Sequence, residues 1–278
     1  MSYIVLTSRE RETLVETFFR LRKKSDQFPD ARVEALTALR CLKAVHSNAI
    51  EDKMVDRTFL QVLLHSAGIR DKSKISAHYL NASRELTGQE EMLRWLEQQA
   101  VKKEGFSLSL LLEMHRFIFC KSNPEAAGKF RVDDVRIKGM LHRPPHHSKI
   151  QQLLYQQLEQ INERLFSLAE ITPSNFFEVL RLSADVHYLV GSVHPFEDGN
   201  GRIARAMGDY AMLFHGYLYD VIMTDYRDTY LDALAECSSV DSTPLQRFIE
   251  YSYLETLKRI EGFFNLIHRH PIAASQES

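Results

Sequence analysis

Apolar side chains return every three or four positions from the start of the chain. Between Ser8 and Arg22, Leu14, Val15, Phe18, Phe19 and Leu21 stand among Glu and Arg, the pattern of a helix with one buried face. A break at Phe28-Pro29 leads to Asp30, a residue type that caps helices, and a run rich in Ala, Leu, Arg and Lys predicts a longer helix to Met54. The same period predicts helices over 55–67 and 76–86 with the turn-like GIRDKSK between them, then over 89–103 and, with Ser107 as cap, 107–120. It resumes over 148–168, from a cap at Thr172 or Ser174 through Ser192, over 203–215 with Gly216 as stop, and over 227–238 and 243–268. One stretch breaks the period. In GKFRVDDVRIKGMLHRPP, residues 128–145, β-branched residues alternate with charges, and Gly139 and Pro144-Pro145 bound the run, which predicts a short hairpin or extended flap.

Composition narrows the class. Hydrophobic residues at 44% and charged residues at 26% are ordinary for a globular chain, and 11 Gly and 8 Pro in 278 residues fit long elements with few tight turns. The expected fold is therefore all-α with a small β-hairpin flap. The length suits one large domain or two units sharing a core, divided here as an N-terminal helical region over 1–103, a core with C-terminal helices over 104–270, and a frayed tail over 271–278. No internal repeat is present. A net charge of −2 lacks the basic excess of a chain that coats nucleic acid or an anionic membrane. Cys41, Cys120 and Cys237 are widely spaced, and no run of eighteen apolar residues occurs, so reduced thiols and a cytoplasmic location are expected.

The chemistry concentrates in His194-Pro195-Phe196-Glu197-Asp198-Gly199-Asn200-Gly201-Arg202, with Arg205 one turn later. A Gly-Asn-Gly run entering a helix lets backbone N–H groups converge on an anion, and the helix N-terminus adds positive potential. Arg202 and Arg205 are three apart and share a helix face, where both guanidinium groups can grip phosphate oxygens. Asp198 suits a Mg²⁺ bridging those phosphates. His194 is placed to act as the base for an attacking hydroxyl. Base, metal carboxylate, anion nest and arginines together describe phosphoryl or nucleotidyl transfer.

These residues resemble the signature of the Fic family, His-x-Phe-x-(Asp or Glu)-Gly-Asn-Gly-Arg-x-x-Arg, which His194, Phe196, Asp198, Gly199, Asn200, Gly201, Arg202 and Arg205 match throughout. The likeness extends to LLEMHRFIF with His115, the GKFR turn, the VRIKG flap and the helix around His187. It implies a Fic-type helical bundle that transfers AMP from ATP to a hydroxyl side chain of a target protein and releases pyrophosphate. His194 would then deprotonate the target hydroxyl and Asp198 would hold Mg²⁺. Gly199, Asn200 and Gly201 would cradle the α- and β-phosphates with help from Arg202, and Arg205 would meet the γ-phosphate. Phe196 would anchor the loop. The flap, Val135, Arg136, Ile137, Lys138 and Gly139, would pair with the target by strand addition; a purely structural hairpin is the alternative.

Upstream, Ser47-Asn48-Ala49-Ile50-Glu51 resembles the family's inhibitory helix, in which Ser47 and Glu51 share a face and the Glu51 carboxylate takes the place of the γ-phosphate on Arg205. Asp52 stands where the family usually has Gly or Asn. Other readings stay open: a nucleotide-binding regulatory module with little catalysis, removal of AMP, or transfer of another group such as phosphocholine or UMP. Tyr226 and Tyr230 are candidates to stack on adenine, with core packing as the alternative. His187 reads as a core residue positioning the loop. In HRPPHH, the flanks of His142, His146 and His147 lack the Cys, Asp or helical i,i+4 partners of a usual site, so zinc is not expected there. The target protein, its acceptor type and the oligomeric state, homo-oligomer included, are not written in the sequence.

Overall fold

The computed structural model describes residues 4–51, 77–137, 142–168 and 170–269. Nine helices are found among them: α1 (Ser8–Gln27), α2 (Pro29–Glu51), α3 (Ala77–Lys102), α4 (Leu108–Phe119), α5 (Ile150–Ser167), α6 (Phe176–Val193), α7 (Asn200–Phe214), α8 (Arg227–Glu236) and α9 (Thr243–Arg269). Thr7 and Glu10 form a capping box at the start of α1, each side chain accepting from the other's backbone N–H. Pro29 opens α2, where a missing N–H costs no hydrogen bond. Ser107 Oγ accepts from Leu110 N–H at 3.0 Å to start α4.

Helix α3 corrects one expectation. The sequence suggested two helices parting near Gly88, yet α3 runs through unbroken. A Cβ at Gly88 would lie 2.3 Å from the Phe117 carbonyl oxygen of α4, so this glycine marks close helix–helix contact instead of a turn.

Helix α7 is the centre of the molecule. Thirteen of its fifteen residues are buried, because α6, α2, α3 and α4 surround it. Gly208 lets α6 approach, a Cβ there meeting Ser183 Oγ at 2.9 Å. Leu14 and Phe18 of α1 and Leu39 of α2 belong to the same apolar cluster as Leu111, Val179, Met207 and Leu257, so the N-terminal helices share the core. Lys43 of α2 crosses that core fully buried, with Nζ 2.8 Å from Asp209 Oδ2 and 2.6 Å from the Asp220 carbonyl oxygen. Burial pushes the neighbouring Asp220 carboxyl up to about 7, against Lys43 and the Ser252 hydroxyl, which act the other way.

Among the described residues there is no strand, and Ser238 and Asp241 form an isolated antiparallel bridge. Val135, Arg136 and Ile137 are irregular, for a strand needs a hydrogen-bonding partner and none lies alongside them among the described residues. Lys138, Gly139, Asp52, the helix expected over 55–67 and the tail over 271–278 lie outside the described residues. No helix searched is long and apolar enough to cross a membrane.

Candidate active site

The loop between α6 and α7 is fixed by groups on both sides. His194 closes α6 in the left-handed region, at φ 51° and ψ 59°, a conformation a non-glycine residue keeps only when its surroundings impose it. Arg131 imposes it. Its side chain is fully buried, and it donates from Nε to the His194 carbonyl at 2.8 Å, from Nη1 to Asp133 at 2.6 Å and from Nη2 to Pro145 at 2.6 Å, while its backbone N–H meets the Pro195 carbonyl at 2.9 Å. Phe196 is buried and stacks on the His115 ring at 3.9 Å and 8°. His115 Nδ1 accepts from Gly128 N–H at 2.9 Å, which leaves the proton on Nε2 to meet the Asp198 carbonyl at 3.2 Å. Burial pulls the His115 pKa down to about 4, so this ring is neutral. Asn200 completes the clamp with its side-chain amide, accepting from Phe196 N–H at 2.8 Å and donating to the Phe196 carbonyl at 2.9 Å. Its side chain thus shapes the loop, while its backbone N–H opens the helix.

Helix α7 begins at Asn200 with Gly199 as N-cap at φ 76°. A side chain at Gly199 would also collide with Phe119 at 2.4 Å. The first-turn N–H groups of Asn200, Gly201 and Arg202 have no carbonyl one turn earlier, which makes the helix start an anion site. Asp198 sits beside it with 74% of its side chain exposed and Oδ1 accepting from Gly199 N–H at 2.5 Å. One exposed carboxylate at a phosphate nest is the protein share Mg²⁺ ordinarily takes, so the residues present fit that ion.

His194 Nδ1 lies 3.3 Å from the Gly191 carbonyl, a bond only its N–H can make. The lone pair is thereby on Nε2. Burial moves the His194 pKa below its ordinary value, with Arg131 adding to it and the Gly191 carbonyl, Glu51 and Asp198 opposing. A neutral imidazole with an open Nε2 is the form a base requires.

Arg205, buried in α7, is gripped from α2. Its Nε donates to Ser47 Oγ at 2.9 Å, and its Nη2 donates to the Ser47 carbonyl at 2.9 Å and to Glu51 Oε1 at 2.7 Å. Its Nη1 reaches the Tyr230 hydroxyl at 3.4 Å, and that hydroxyl is 2.8 Å from His187 Nε2. Burial alone would raise the Glu51 carboxyl, but Arg205, Arg202 and Arg227 together outweigh it and hold the group ionised. The Glu51 carboxylate packs directly on Gly201, where a Cβ would stand 2.1 Å from Oε1 and push the carboxylate aside. Arg227 donates to the Ile50 carbonyl at 2.7 Å and so caps the described end of α2.

A cavity of about 370 Å³ opens beside these groups, lined by Glu51, His194, Gly201, Arg205 and Tyr230, with apolar lining from Leu231, Leu234 and Cys237. Among the predicted site residues, Ile137 also reaches it. Arg202 does not. It is turned toward Glu85 of α3 and Asn48 of α2, Nη1 meeting the Asn48 oxygen at 3.1 Å, with Nη2 3.6 Å from Asp198 Oδ1. Tyr226 packs edge-on against Tyr251 outside the cavity lining. His187 is buried on its hydrogen bond to Tyr230, the core position expected of it. Sequence reasoning missed Asn48, Glu85, Arg131 and Arg227 as site residues. Arg131 alone carried a signal, as the arginine of the GKFR turn.

The motif and the residues that clamp it fall within a family match over residues 105–212, to the Fic/DOC family, while the grip from α2 lies outside it. The chain carries a Fic domain. Across 98% of its length it is 26% identical to the protein adenylyltransferase Fic of Culex quinquefasciatus, and across 73% it is 27% identical to that of Aedes aegypti. It spans 54% and 38% of those two proteins. A Fic-domain-containing signaling protein from Bacteroides thetaiotaomicron shares the fold with a TM-score of 0.73 at 20% identity, over 92% of this chain and 98% of that one. Fic-1 of C. elegans superposes with a TM-score of 0.69 at 22% identity, over 93% of this chain and 74% of that one. The helical architecture is therefore the Fic fold, with α6, the loop and α7 as far as residue 212 inside the matched segment.

Proposed function

We propose that this chain is a protein adenylyltransferase that moves AMP from ATP to a hydroxyl side chain of another protein and is held in check by Glu51. The observation that carries the reading is one cavity holding a neutral imidazole, the N-terminus of α7 and an arginine whose outer edge is occupied by a carboxylate. The first-turn N–H groups of α7 bind the α- and β-phosphates. Arg205 meets the γ-phosphate once Glu51 leaves it. Asp198 would hold Mg²⁺, which would supply charge neutralisation there. His194 Nε2 takes the proton of the acceptor hydroxyl, whose oxygen forms the new bond to the α-phosphorus as the bond to pyrophosphate breaks. The apolar wall of Leu231, Leu234 and Cys237 takes the base of the nucleotide. The edge at Val135, Arg136 and Ile137 lacks a strand partner among the described residues, and an extended target segment supplies one.

Incubation of wild type and Glu51→Gly with Mg²⁺, a protein extract and ATP labelled on the α-phosphate tests this. Label should appear on protein, more strongly with the variant, and none should appear when the label is on the γ-phosphate. ATP binding by both forms with no protein labelled by either would sink the transferase reading and leave a nucleotide-binding module.

A further inference from the structure

The HRPPHH stretch has no acidic neighbour in sequence, but the fold delivers one from thirteen residues upstream. Asp134 Oδ1 lies 3.0 Å from His147 Nδ1, Asp134 Oδ2 lies 3.6 Å from His146 Nε2, and one ligand atom from each of the three residues falls within 4.8 Å of the others. We propose that Asp134, His146 and His147 form a binding site for a divalent transition-metal ion of the zinc type, separate from Asp198, which staples together the two ends of the flap.

The spacing fits such an ion. Two ligands about 2.0–2.2 Å from a tetrahedral zinc stand roughly 3.3 Å apart; Asp134 Oδ1 and His147 Nδ1 are 3.0 Å apart, and one ligand atom from each of the three residues lies within 4.8 Å of the others, close enough for an ion to draw them in. Two imidazoles and one carboxylate favour zinc, copper or nickel over Mg²⁺ or Ca²⁺, which prefer oxygen throughout. Three protein ligands on an exposed surface leave the fourth position to water. The supporting shell is present as well. His147 N–H donates to Asp134 Oδ1 at 2.8 Å and fixes the carboxylate. Arg131, 3.6 Å from Asp134 Oδ1, directs its short bonds to three backbone carbonyls.

His146 needs its proton on Nδ1 to offer Nε2. Ser148 Oγ lies 2.8 Å from that Nδ1 and can accept the proton, although Ser148 N–H also approaches it at 3.3 Å and favours the other tautomer without metal. An outer partner that selects the ring tautomer is a usual companion of a histidine ligand. The ligands flank residues 135–145, and Arg131 links the Asp133 and Pro145 carbonyls to that of His194. An ion here therefore fixes the base of the flap relative to the catalytic imidazole.

The test uses the full chain, stripped of metal and titrated with Zn²⁺ in competition with a chromogenic chelator, then with Co²⁺ to read coordination from its visible absorption. Wild type and His142→Gln should each bind one Zn²⁺. Asp134→Asn, His146→Gln and His147→Gln should each weaken binding at least about tenfold, and the triple variant should abolish it. In wild type and His142→Gln, but not in the triple variant, Zn²⁺ should also slow amide hydrogen exchange across the flap. Circular dichroism checks that these surface variants keep the fold. Absence of stoichiometric binding by wild type, or equal binding by the triple variant, overturns the proposal. Neither outcome bears on nucleotide transfer, because the readout is metal binding itself.

Discussion

Replacing Glu51 with Gly removes the carboxylate that accepts from Arg205 Nη2 at 2.7 Å. A hydrogen bond to a charged group contributes about 1.5 to 3 kcal/mol. Glu51 keeps 39% of its side chain exposed where it borders the cavity, and solvent screening places this bond at the low end, about 1.5 kcal/mol. That corresponds to about a tenfold shift between the locked and open arrangements of Arg205. Helix α2 should stay in place, because the Ser47 hydroxyl and carbonyl still hold Arg205 at 2.9 Å each. A glycine in the last turn adds a backbone cost of up to about 1 kcal/mol, so Glu51→Ala and Glu51→Gln accompany it. The glutamine retains an acceptor oxygen without the charge and should release activity only partly, giving the order Gly, then Gln, then wild type. The assay is the initial rate of protein labelling from α-labelled ATP, read beside ATP affinity from a fluorescent nucleotide analogue. A Glu51→Gly protein that binds ATP as wild type does and labels at the wild-type rate would refute the restraint.

His194→Ala should keep ATP affinity within about twofold and lose transfer, since it removes the base and leaves the helix terminus intact; normal labelling by this variant excludes the assigned role. Because burial lowers the His194 pKa, the acid limb of the rate profile in the Glu51→Gly background should fall below pH 6.5, where the imidazole gains its proton. Asn200→Ala leaves the Phe196 N–H and carbonyl unpaired in a buried loop, a loss of about 1 to 3 kcal/mol, and should lower both the melting temperature and ATP affinity. Asp220 has a folded pKa of about 7, against about 3.9 unfolded. Its contribution to stability is therefore complete below the unfolded value and disappears as pH rises through 7. Asp220→Asn should flatten the decline in urea-unfolding free energy between pH 5 and 8, and an unchanged slope would show that Asp220 is not its source.

Much of the site was legible because its residues are consecutive. His194 through Arg205 sit in one loop and one helical turn, so spacing alone places base, nest and Arg205 at one end of α7. The partners that come from elsewhere were not legible. Arg131 was marked only as part of the GKFR turn, its role running through backbone carbonyls that carry no sequence mark, and Asn48 and Glu85 meet Arg202 only through the packing of α2 and α3 on α7. For the same reason Asp134 was invisible to a search of the residues around His146. Gly88 shows the opposite failure: a local rule reads glycine as a break, whereas the contact with α4 demands a missing side chain and the helix continues. The alternation at Val135 to Ile137 suggested a strand, but pairing depends on a neighbour that alternation cannot supply.

Ser47 and Glu51 are carried by a helix that is a pillar of the molecule. Ala35, Leu39, Ala44 and Ile50 are buried along α2, and Lys43 is anchored on Asp209 at its centre. Swinging such a helix aside would open the interior and leave the buried Asp209 carboxylate of α7 without its ammonium partner. Release of Arg205 is therefore expected as a small event at its final turn, where Arg227 holds the Ile50 carbonyl, and whatever triggers it has only to loosen one thread, without moving the post it is tied to.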